Sequence, residues 1–135
     1  MDRLRERLSV AERALASFVQ VLHLPNPGIV ERDAAIKRFE YSIEATWKAA
    51  QQYLRVVEGN DVASPKSAIR VSRDAGLLSD EQATKALALV DDRNLTTHTY
   101  NEDLATALFA RLPDHATLLQ AWRKAMQDRL AAAGS

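Results

Sequence analysis

The sequence contains no cysteine, which excludes structural disulfides and metal sites built from thiolates. It has only four glycines and four prolines, and no apolar run is long enough to span a bilayer. An excess of one charge is missing too, because 18 lysines and arginines balance 18 aspartates and glutamates. Proteins that bind nucleic acid mainly by neutralising phosphates are usually basic. Extended duplex binding is therefore not expected, which leaves at most a local basic patch.

The 135 residues fit a single domain with its own hydrophobic core. We predict one helical bundle over residues 1–130 and a frayed tail over residues 131–135. The N-terminal residues 1–6 lack the apolar core of a secretory signal. We therefore expect a cytoplasmic location and no membrane association.

Apolar residues recur with helical spacing, and no segment alternates with the period of two that is typical of strands. The first helix carries apolar residues spaced alternately by four and three: Leu4, Leu8, Ala11, Leu15, Phe18 and Leu22. A second, long helix is predicted from about residue 30 to residue 58, with Gly59 and Asn60 as its stop. Its apolar stripe is Ile36, Phe39, Ile43, Trp47, Ala50, Leu54 and Val57.

Capping residues predict where the next helices begin. Ser64 and Pro65 are typical of an N-cap and a first-turn proline, and they open a short helix that Gly76 closes. Ser79 with Gln82 forms a capping-box pattern for the following helix.

The last helix is predicted to begin at Asn101, because Glu102 and Asp103 are favourable at the positive end of a helix. Pro113 falls inside its apolar pattern, and we expect a kink there. Several antiparallel helices with short loops predict an all-α, up-and-down bundle. Large aromatic residues are expected to fill its core rather than to line a cofactor pocket: Phe18, Phe39, Trp47 and Trp122.

Polar residues interrupt the apolar face of the helix that follows Ser79. At about 100° per residue, Ala83 and Val90 share a face, and its continuation brings Asn94 and His98 into line. Polar side chains on such a face need partners. Arg93 lies about 140° from His98 on the same helix, so the geometry within one chain permits a joint site without requiring it.

Arg93, Asn94 and His98 suit metal-independent RNA cleavage, in which the ribose 2′-OH attacks the adjacent phosphate. Histidine exchanges a proton near neutral pH, arginine stabilises growing phosphoryl charge, and asparagine positions groups. The alternative is structural: a histidine at a helix end and Arg93 paired to Asp91 or Asp92. By itself, an arginine five residues before a histidine is a weak pattern.

Two other groups of residues carry candidate chemistry. Lys66, Arg70 and Arg73 form a basic stripe that could contact RNA phosphate or an acidic partner, unless it is only a solvated helix face. His23 and His115 are expected to be ordinary surface or cap residues. No metal site is expected from the acidic residues near His98, because acids at helix ends are common for dipole reasons: Asp91, Asp92, Glu102 and Asp103.

Residues 92–102, which we call the motif segment, resemble the signature of the nucleotidyltransferase substrate-binding proteins, the HepT-like branch of the HEPN superfamily. The family motif is Arg, four residues, His, any residue, Tyr, and the motif segment matches it without a gap. Three upstream segments resemble the same family in consistent order: residues 37–42, residues 46–48 with 53–54, and residues 64–70. The N-terminus and residues 83–89 do not match specifically, so the partner that is recognised stays open.

The resemblance implies a four- or five-helix bundle that homodimerises, with the two motif helices facing each other. It also implies a cognate minimal nucleotidyltransferase on a separate chain, in a hetero-oligomer. In toxin–antitoxin members, the HEPN chain is an endoribonuclease toxin without an intrinsic cofactor. The partner silences it by transferring AMP from ATP to the motif tyrosine.

Transferred to this sequence, the resemblance implies that Arg93 stabilises the scissile phosphate, Asn94 orients the site, His98 moves a proton and Tyr100 accepts AMP. The family also includes members described only as substrate- or nucleotide-binding subunits. A non-catalytic binding subunit is therefore the alternative, and a purely structural bundle is the third hypothesis.

Overall fold

The computed structural model describes residues 1–134, which form five α-helices and one short 3₁₀ turn. The α-helices are α1 (Asp2–Leu22), α2 (Ile29–Val56), α3 (Pro65–Asp74), α4 (Asp80–Leu95) and α5 (Glu102–Ala133), and the 3₁₀ turn is Thr96–His98. Within these residues there is no strand, so the predicted all-α class is confirmed. In the same part of the chain, no helix has the length and hydropathy needed to cross a membrane.

The apolar stripes of the helices meet in one core. Helices α1 and α2 pack along each other, α5 packs against both, and α3 and α4 complete the bundle beside α2 and α5. All four aromatic residues predicted to be core are buried, together with most of the leucines of both predicted stripes. The stripes are less accurate at their ends, where Leu22 is only partly buried and Val57 lies exposed beyond α2.

The predicted caps are present. The Ser64 hydroxyl accepts a hydrogen bond from the backbone three residues on at 3.1 Å. Ser79 and Gln82 bind each other's backbone amides at 3.1 and 2.9 Å. The side-chain oxygen Oδ1 of Asn101 accepts a hydrogen bond from the Leu104 backbone amide at 3.1 Å. These side chains satisfy amides that the first helical turn leaves free, which explains why the sequence located each helix start correctly.

Gly76 ends α3 with φ of +79°, a conformation that disfavours any residue with a Cβ. A Cβ at this position would lie 2.8 Å from Nη2 of Arg129, but this is the end of a flexible side chain that can move aside. The positive φ is therefore what favours glycine here. Nearby, the Trp122 indole donates to the Ser72 hydroxyl at 3.1 Å in the core. These contacts fix α3 against the C-terminal half of α5.

Helix α5 continues through Pro113 and ends at Ala133. The proline therefore does not break the helix. Residues 131–133 are helical, so the prediction of a frayed tail over residues 131–135 is wrong for these three positions. The C-terminal Ser135 lies outside the described residues.

Candidate functional site

The motif segment begins in the last turn of α4 and leaves the helix after Leu95. The Thr96 hydroxyl donates to the Arg93 carbonyl at 2.7 Å, and such side-chain bonds compete with continuation of a helix. The chain then makes the 3₁₀ turn Thr96–His98. The prediction that His98 continues the apolar face of α4 is therefore wrong, because α4 ends before it. Asn94 and His98 are exposed rather than buried.

Arg93 and Asn94 line a cavity of about 280 Å³ between α2 and α4. Nη2 of Arg93 lies 4.0 Å from Oε2 of Glu44, and the Arg93 side chain is 43% exposed. The Trp47 indole donates to the same Glu44 oxygen at 3.1 Å. The contact between Arg93 and Glu44 is long, and Trp47 binds the same carboxylate. Most of the Arg93 donors are therefore available to an anionic ligand.

His98 and Tyr100 form the second part of the motif segment. Nδ1 of His98 lies 3.5 Å from the Tyr100 hydroxyl, and the two rings meet edge to face with centroids 5.9 Å apart. Tyr100 is 82% exposed. A phenol hydroxyl in this position is accessible to another macromolecule and is held beside an imidazole nitrogen.

The structure thus brings Arg93 together with Asn94, and His98 together with Tyr100. Within residues 1–134, no hydrogen bond or ion pair joins Arg93 to His98. One copy of the chain therefore presents two half-sites on one segment. The sequence alternative that paired Arg93 with Asp91 or Asp92 is wrong, because both aspartates bind other cations.

Asp92 is the centre of a buried cluster that the sequence interpretation missed, and we call this cluster the Asp92 clamp. Arg111 donates to both carboxylate oxygens of Asp92 at 2.8 Å, and Nε2 of His115 lies 2.7 Å from Oδ2. The His115 ring also stacks on Phe39 with centroids 5.3 Å apart. The expectation that His115 is a surface residue is wrong: it is only 9% exposed.

A signal for His115 was present in the sequence. It lies three residues after Leu112 and four before Leu119, both of which are buried, so it falls on the apolar face of α5. A buried histidine needs a partner, and Arg111 four residues before it marks the same side of the helix. The missing partner, Asp92, lies on another helix and has no local sequence signal.

Electrostatics favour the ionised form of Asp92. Burial opposes the carboxylate charge, but the hydrogen bonds from Arg111 and His115 outweigh it and hold the Asp92 pKa below its ordinary value. The hydrogen bonds that Arg111 donates to Asp92 also raise the Arg111 pKa, against the effect of burial. The residue immediately before Arg93 is therefore a charged anchor between α4 and α5.

A second ion pair holds the other end of the motif segment, and we call it the Glu102 clamp. Nη1 of Arg32 lies 2.7 Å from Oε2 of Glu102, and Arg32 also binds Asp33 at 3.1 Å. The hydrogen bond from Arg32 holds the Glu102 pKa below its ordinary value. Both ends of the segment that carries Arg93 and Tyr100 are thus tied to other helices.

Comparison with known proteins identifies the family. Residues 6–128 match the family described as nucleotidyltransferase substrate binding protein like. The chain belongs to this family. A Haemophilus influenzae relative, named as a probable ribonuclease HepT, is 31% identical over 84 residues, which cover 59% of this chain. The match spans only 56% of that relative's length.

Three solved structures share the helical fold of this chain. A Thermus thermophilus protein is 56% identical, covering 86% of this chain and 98% of its own at a TM-score of 0.83. A Haemophilus influenzae protein, whose structure is described as the fold of a substrate-binding domain of a nucleotidyltransferase, is 25% identical. The match covers 89% of this chain and 98% of that protein, with a TM-score of 0.75. The tri-AMPylated HEPN toxin of Shewanella oneidensis, in complex with MNT antitoxin, is 15% identical, covering 95% and 98% at 0.74. The predicted HEPN-like bundle and family are confirmed.

Aspartate side chains partly neutralise the predicted basic stripe on α3. Nζ of Lys66 lies 2.7 Å from Asp91, and Arg73 lies 3.4 Å from Asp74. Arg70 is exposed, and no ion pair involving it occurs within residues 1–134. The stripe therefore offers one cation without a carboxylate partner, Arg70, rather than three.

The acidic residues of the motif segment also have cationic partners in this family member. Asp91, Asp92 and Glu102 bind Lys66, Arg111 and Arg32, respectively. In the part of the chain that the structure describes, no group of three or more histidine or acidic side chains is placed to hold a metal ion. His23, by contrast, is an exposed residue whose Nδ1 lies 2.9 Å from the Val19 carbonyl at the end of α1, as predicted for a cap.

Proposed function

We propose that the chain is a HEPN-type, metal-independent endoribonuclease toxin that acts as a homodimer and is neutralised by a cognate minimal nucleotidyltransferase. The observation that carries the proposal is the accessible motif segment, on which Arg93 has free donors and the Tyr100 hydroxyl lies beside His98. Family membership and the relative named as a probable ribonuclease HepT support it.

The proposed reaction uses the substrate's own nucleophile. The ribose 2′-oxygen forms a bond to the adjacent phosphorus, and the bond from phosphorus to the 5′-oxygen breaks. The His98 imidazole takes the proton of the 2′-OH, and the imidazolium that forms supplies a proton to the leaving 5′-oxygen. Arg93 stabilises the charge that grows on the non-bridging oxygens, and Asn94 orients the phosphate. The products are a 2′,3′-cyclic phosphate and a 5′-hydroxyl.

A homodimer supplies what one copy lacks. Within one chain, Arg93 and His98 belong to separate half-sites, and both are accessible to a second molecule. Two motif segments facing each other across a twofold axis would place Arg93 of one copy near His98 of the other.

Neutralisation is proposed to occur at Tyr100, which is 82% exposed. The phenol oxygen attacks the α-phosphorus of ATP held by the nucleotidyltransferase, pyrophosphate leaves, and the phenol proton is released. The added adenosine phosphate would introduce bulk and negative charge beside His98 and repel an RNA phosphate. The solved complex of a tri-AMPylated HEPN toxin with MNT antitoxin supports this mode of control.

Expression of the wild-type chain without its partner should arrest bacterial growth, whereas Arg93→Ala and His98→Ala should permit it. Matched controls are Arg13→Ala and His23→Ala, which remove the same side-chain types from exposed positions outside the motif segment. Growth curves and immunoblots of equal expression measure the effect. Harmless expression of the wild type in a host with intact RNA targets would contradict the toxin proposal.

Incubation with the partner nucleotidyltransferase and ATP should add AMP to the wild type, and Tyr100→Phe should abolish the addition. Tyr41→Phe is the matched control, because Tyr41 is a second exposed tyrosine outside the motif segment. Intact-mass and peptide mass spectrometry locate the modification. Undiminished AMP addition to Tyr100→Phe would show that another residue is the acceptor.

The second candidate is a non-catalytic subunit that presents substrate or nucleotide to the nucleotidyltransferase. The family description and the Haemophilus influenzae substrate-binding domain favour it. It predicts partner binding without RNA cleavage, and unchanged growth on expression of wild type and variants alike. The same growth experiment therefore separates the two candidates.

A further inference from the structure

We propose that the groove between α1 and α2 binds single-stranded RNA and leads it to Arg93. This inference rests on the proposed nuclease function and assigns the substrate path. The α1–α2 groove has a volume of about 650 Å³, and its walls carry Arg3 and Arg7 from α1 and Tyr41, Glu44 and Lys48 from α2.

Unpaired positive charge distinguishes this groove. Arg32, Lys66 and Arg111 all have carboxylate partners elsewhere in the bundle. Within residues 1–134, no carboxylate lies within 4 Å of the charged groups of Arg3, Arg7 or Lys48. Nζ of Lys48 lies over the Trp47 ring, 4.7 Å from its centroid, and this contact leaves the charge without an anionic partner. In a chain with no net charge, three such cations in one groove favour an anionic ligand.

The acidic side chains of the groove do not cancel this charge. Glu6 and Glu44 also line it, which leaves three cations against two carboxylates. Glu44 already accepts the Trp47 indole hydrogen bond and faces Arg93 at 4.0 Å. The groove together with Arg93 therefore carries four cations against two acids.

An exposed aromatic ring lies among these charges. Tyr41 is 39% exposed, and its hydroxyl is 2.7 Å from the Ser17 hydroxyl of α1, which holds the ring between the two helices. Grooves for single-stranded nucleic acid combine backbone-tracking cations with aromatic rings that stack bases. Protein interfaces are enriched in arginine and tyrosine but depleted of lysine and glutamate, which also line the α1–α2 groove. The excess of cations over carboxylates therefore favours RNA over a protein partner.

The groove adjoins the motif segment at Glu44. Glu44 lines both the α1–α2 groove and the smaller cavity that contains Arg93 and Asn94. On α1, Arg3 and Arg7 are one helical turn apart and share a face. A strand whose scissile phosphate lies at Arg93 can therefore pass Glu44 and continue along Lys48 and Arg7.

The test measures binding of a fluorescein-labelled single-stranded RNA octamer to the full chain carrying His98→Ala, which should slow cleavage enough for binding to be measured. Adding Arg7→Ala or Lys48→Ala should weaken binding about 4-fold at 0.15 M salt and reduce the slope of log K against log salt by about 0.7 for each lost phosphate contact. Tyr41→Ala should weaken binding by about 5- to 150-fold, whereas Tyr41→Phe should retain the stacking contribution.

Arg5→Ala is the matched control. Arg5 lies on α1 between Arg3 and Arg7 in sequence but lines a different groove, beside α5. Its removal should change neither the dissociation constant nor the salt slope. Circular dichroism checks that each variant keeps the helical bundle.

Absent RNA binding, or unchanged affinity and slope in Arg7→Ala and Lys48→Ala, would overturn the groove assignment. If these variants instead weaken self-association in sedimentation, the groove is covered by a second copy and the RNA assignment is wrong. Wild-type cleavage with unaffected groove variants would leave the nuclease proposal intact and remove only this inference. Groove-dependent binding without wild-type cleavage would support the groove assignment and contradict the nuclease proposal.

Discussion

Replacing His98 with alanine should slow RNA cleavage by the purified protein by about 10²- to 10⁴-fold, which is the usual contribution of a positioned general acid or base. Arg93→Ala should cost about 10²- to 10³-fold, because it removes a preorganised donor that faces developing negative charge. Both losses should appear in kcat more than in KM, since these groups act on the transition state. The assay follows cleavage of a labelled RNA and the appearance of a 2′,3′-cyclic phosphate end.

Mixing the two inactive variants tests whether the site is shared between copies. If a cleft takes Arg93 from one copy and His98 from the other, half of the randomly mixed dimers contain one intact cleft, and activity should return to about a quarter of the wild-type level. Sites confined to one chain would show no recovery. Undiminished cleavage by either single variant, at equal helical content, would remove that residue from the proposed mechanism.

The sequence predicted those parts of the fold that local chemistry determines. Ser79 and Asn101 cap the helices that they were expected to cap, because capping joins residues only two or three positions apart. Gly59 and Gly76 have positive φ at the predicted stops. The buried aromatic residues follow from helical periodicity, which places them on one face before any tertiary contact is known.

The end of α4 could not be predicted from periodicity. A helical projection assumes that the helix continues, whereas the Thr96 hydroxyl binds the Arg93 carbonyl and the chain enters a 3₁₀ turn. The motif therefore supplied the candidate residues, whereas the helical projection misplaced His98 relative to Asn94. In the proposed function, Arg93 meets His98 through a second copy, and nothing in the spacing of one chain specifies such an arrangement.

The Asp92 and Glu102 clamps could not be predicted from the sequence for a different reason. Arg32 and Glu102 are 70 residues apart in sequence, and Asp92 binds partners 19 and 23 residues away on α5. Ion pairs between helices have no sequence period, since a charged residue on a helix surface is most often solvated. Only His115, on an apolar stripe, indicated that a polar cluster was buried.

Asp92→Asn should lower the free energy of unfolding by about 2–3 kcal/mol at pH 7, because it removes the anionic acceptor of Arg111 and buried His115. The expected loss is below that of a fully buried ion pair, since the Arg111 side chain is 45% exposed and retains contact with solvent. Asp91→Asn is the matched control: its neighbouring pair with Lys66 is exposed, so the change should cost less than about 1 kcal/mol. Urea denaturation followed by circular dichroism measures both.

The direction of the Asp92 pKa shift determines how the effect of Asp92→Asn on stability depends on pH. Because the folded-state pKa of Asp92 lies below its ordinary value of 3.8, the carboxylate's contribution is complete above that value and is lost as pH falls through the folded pKa. The stability difference between wild type and Asp92→Asn should therefore be constant from pH 7 to about pH 5 and should shrink below about pH 4. A difference that grows on acidification, or an Asp91→Asn variant as unstable as Asp92→Asn, would mean that the Asp92 clamp does not hold α4 to α5. In that case, the position of Arg93 would depend on packing alone.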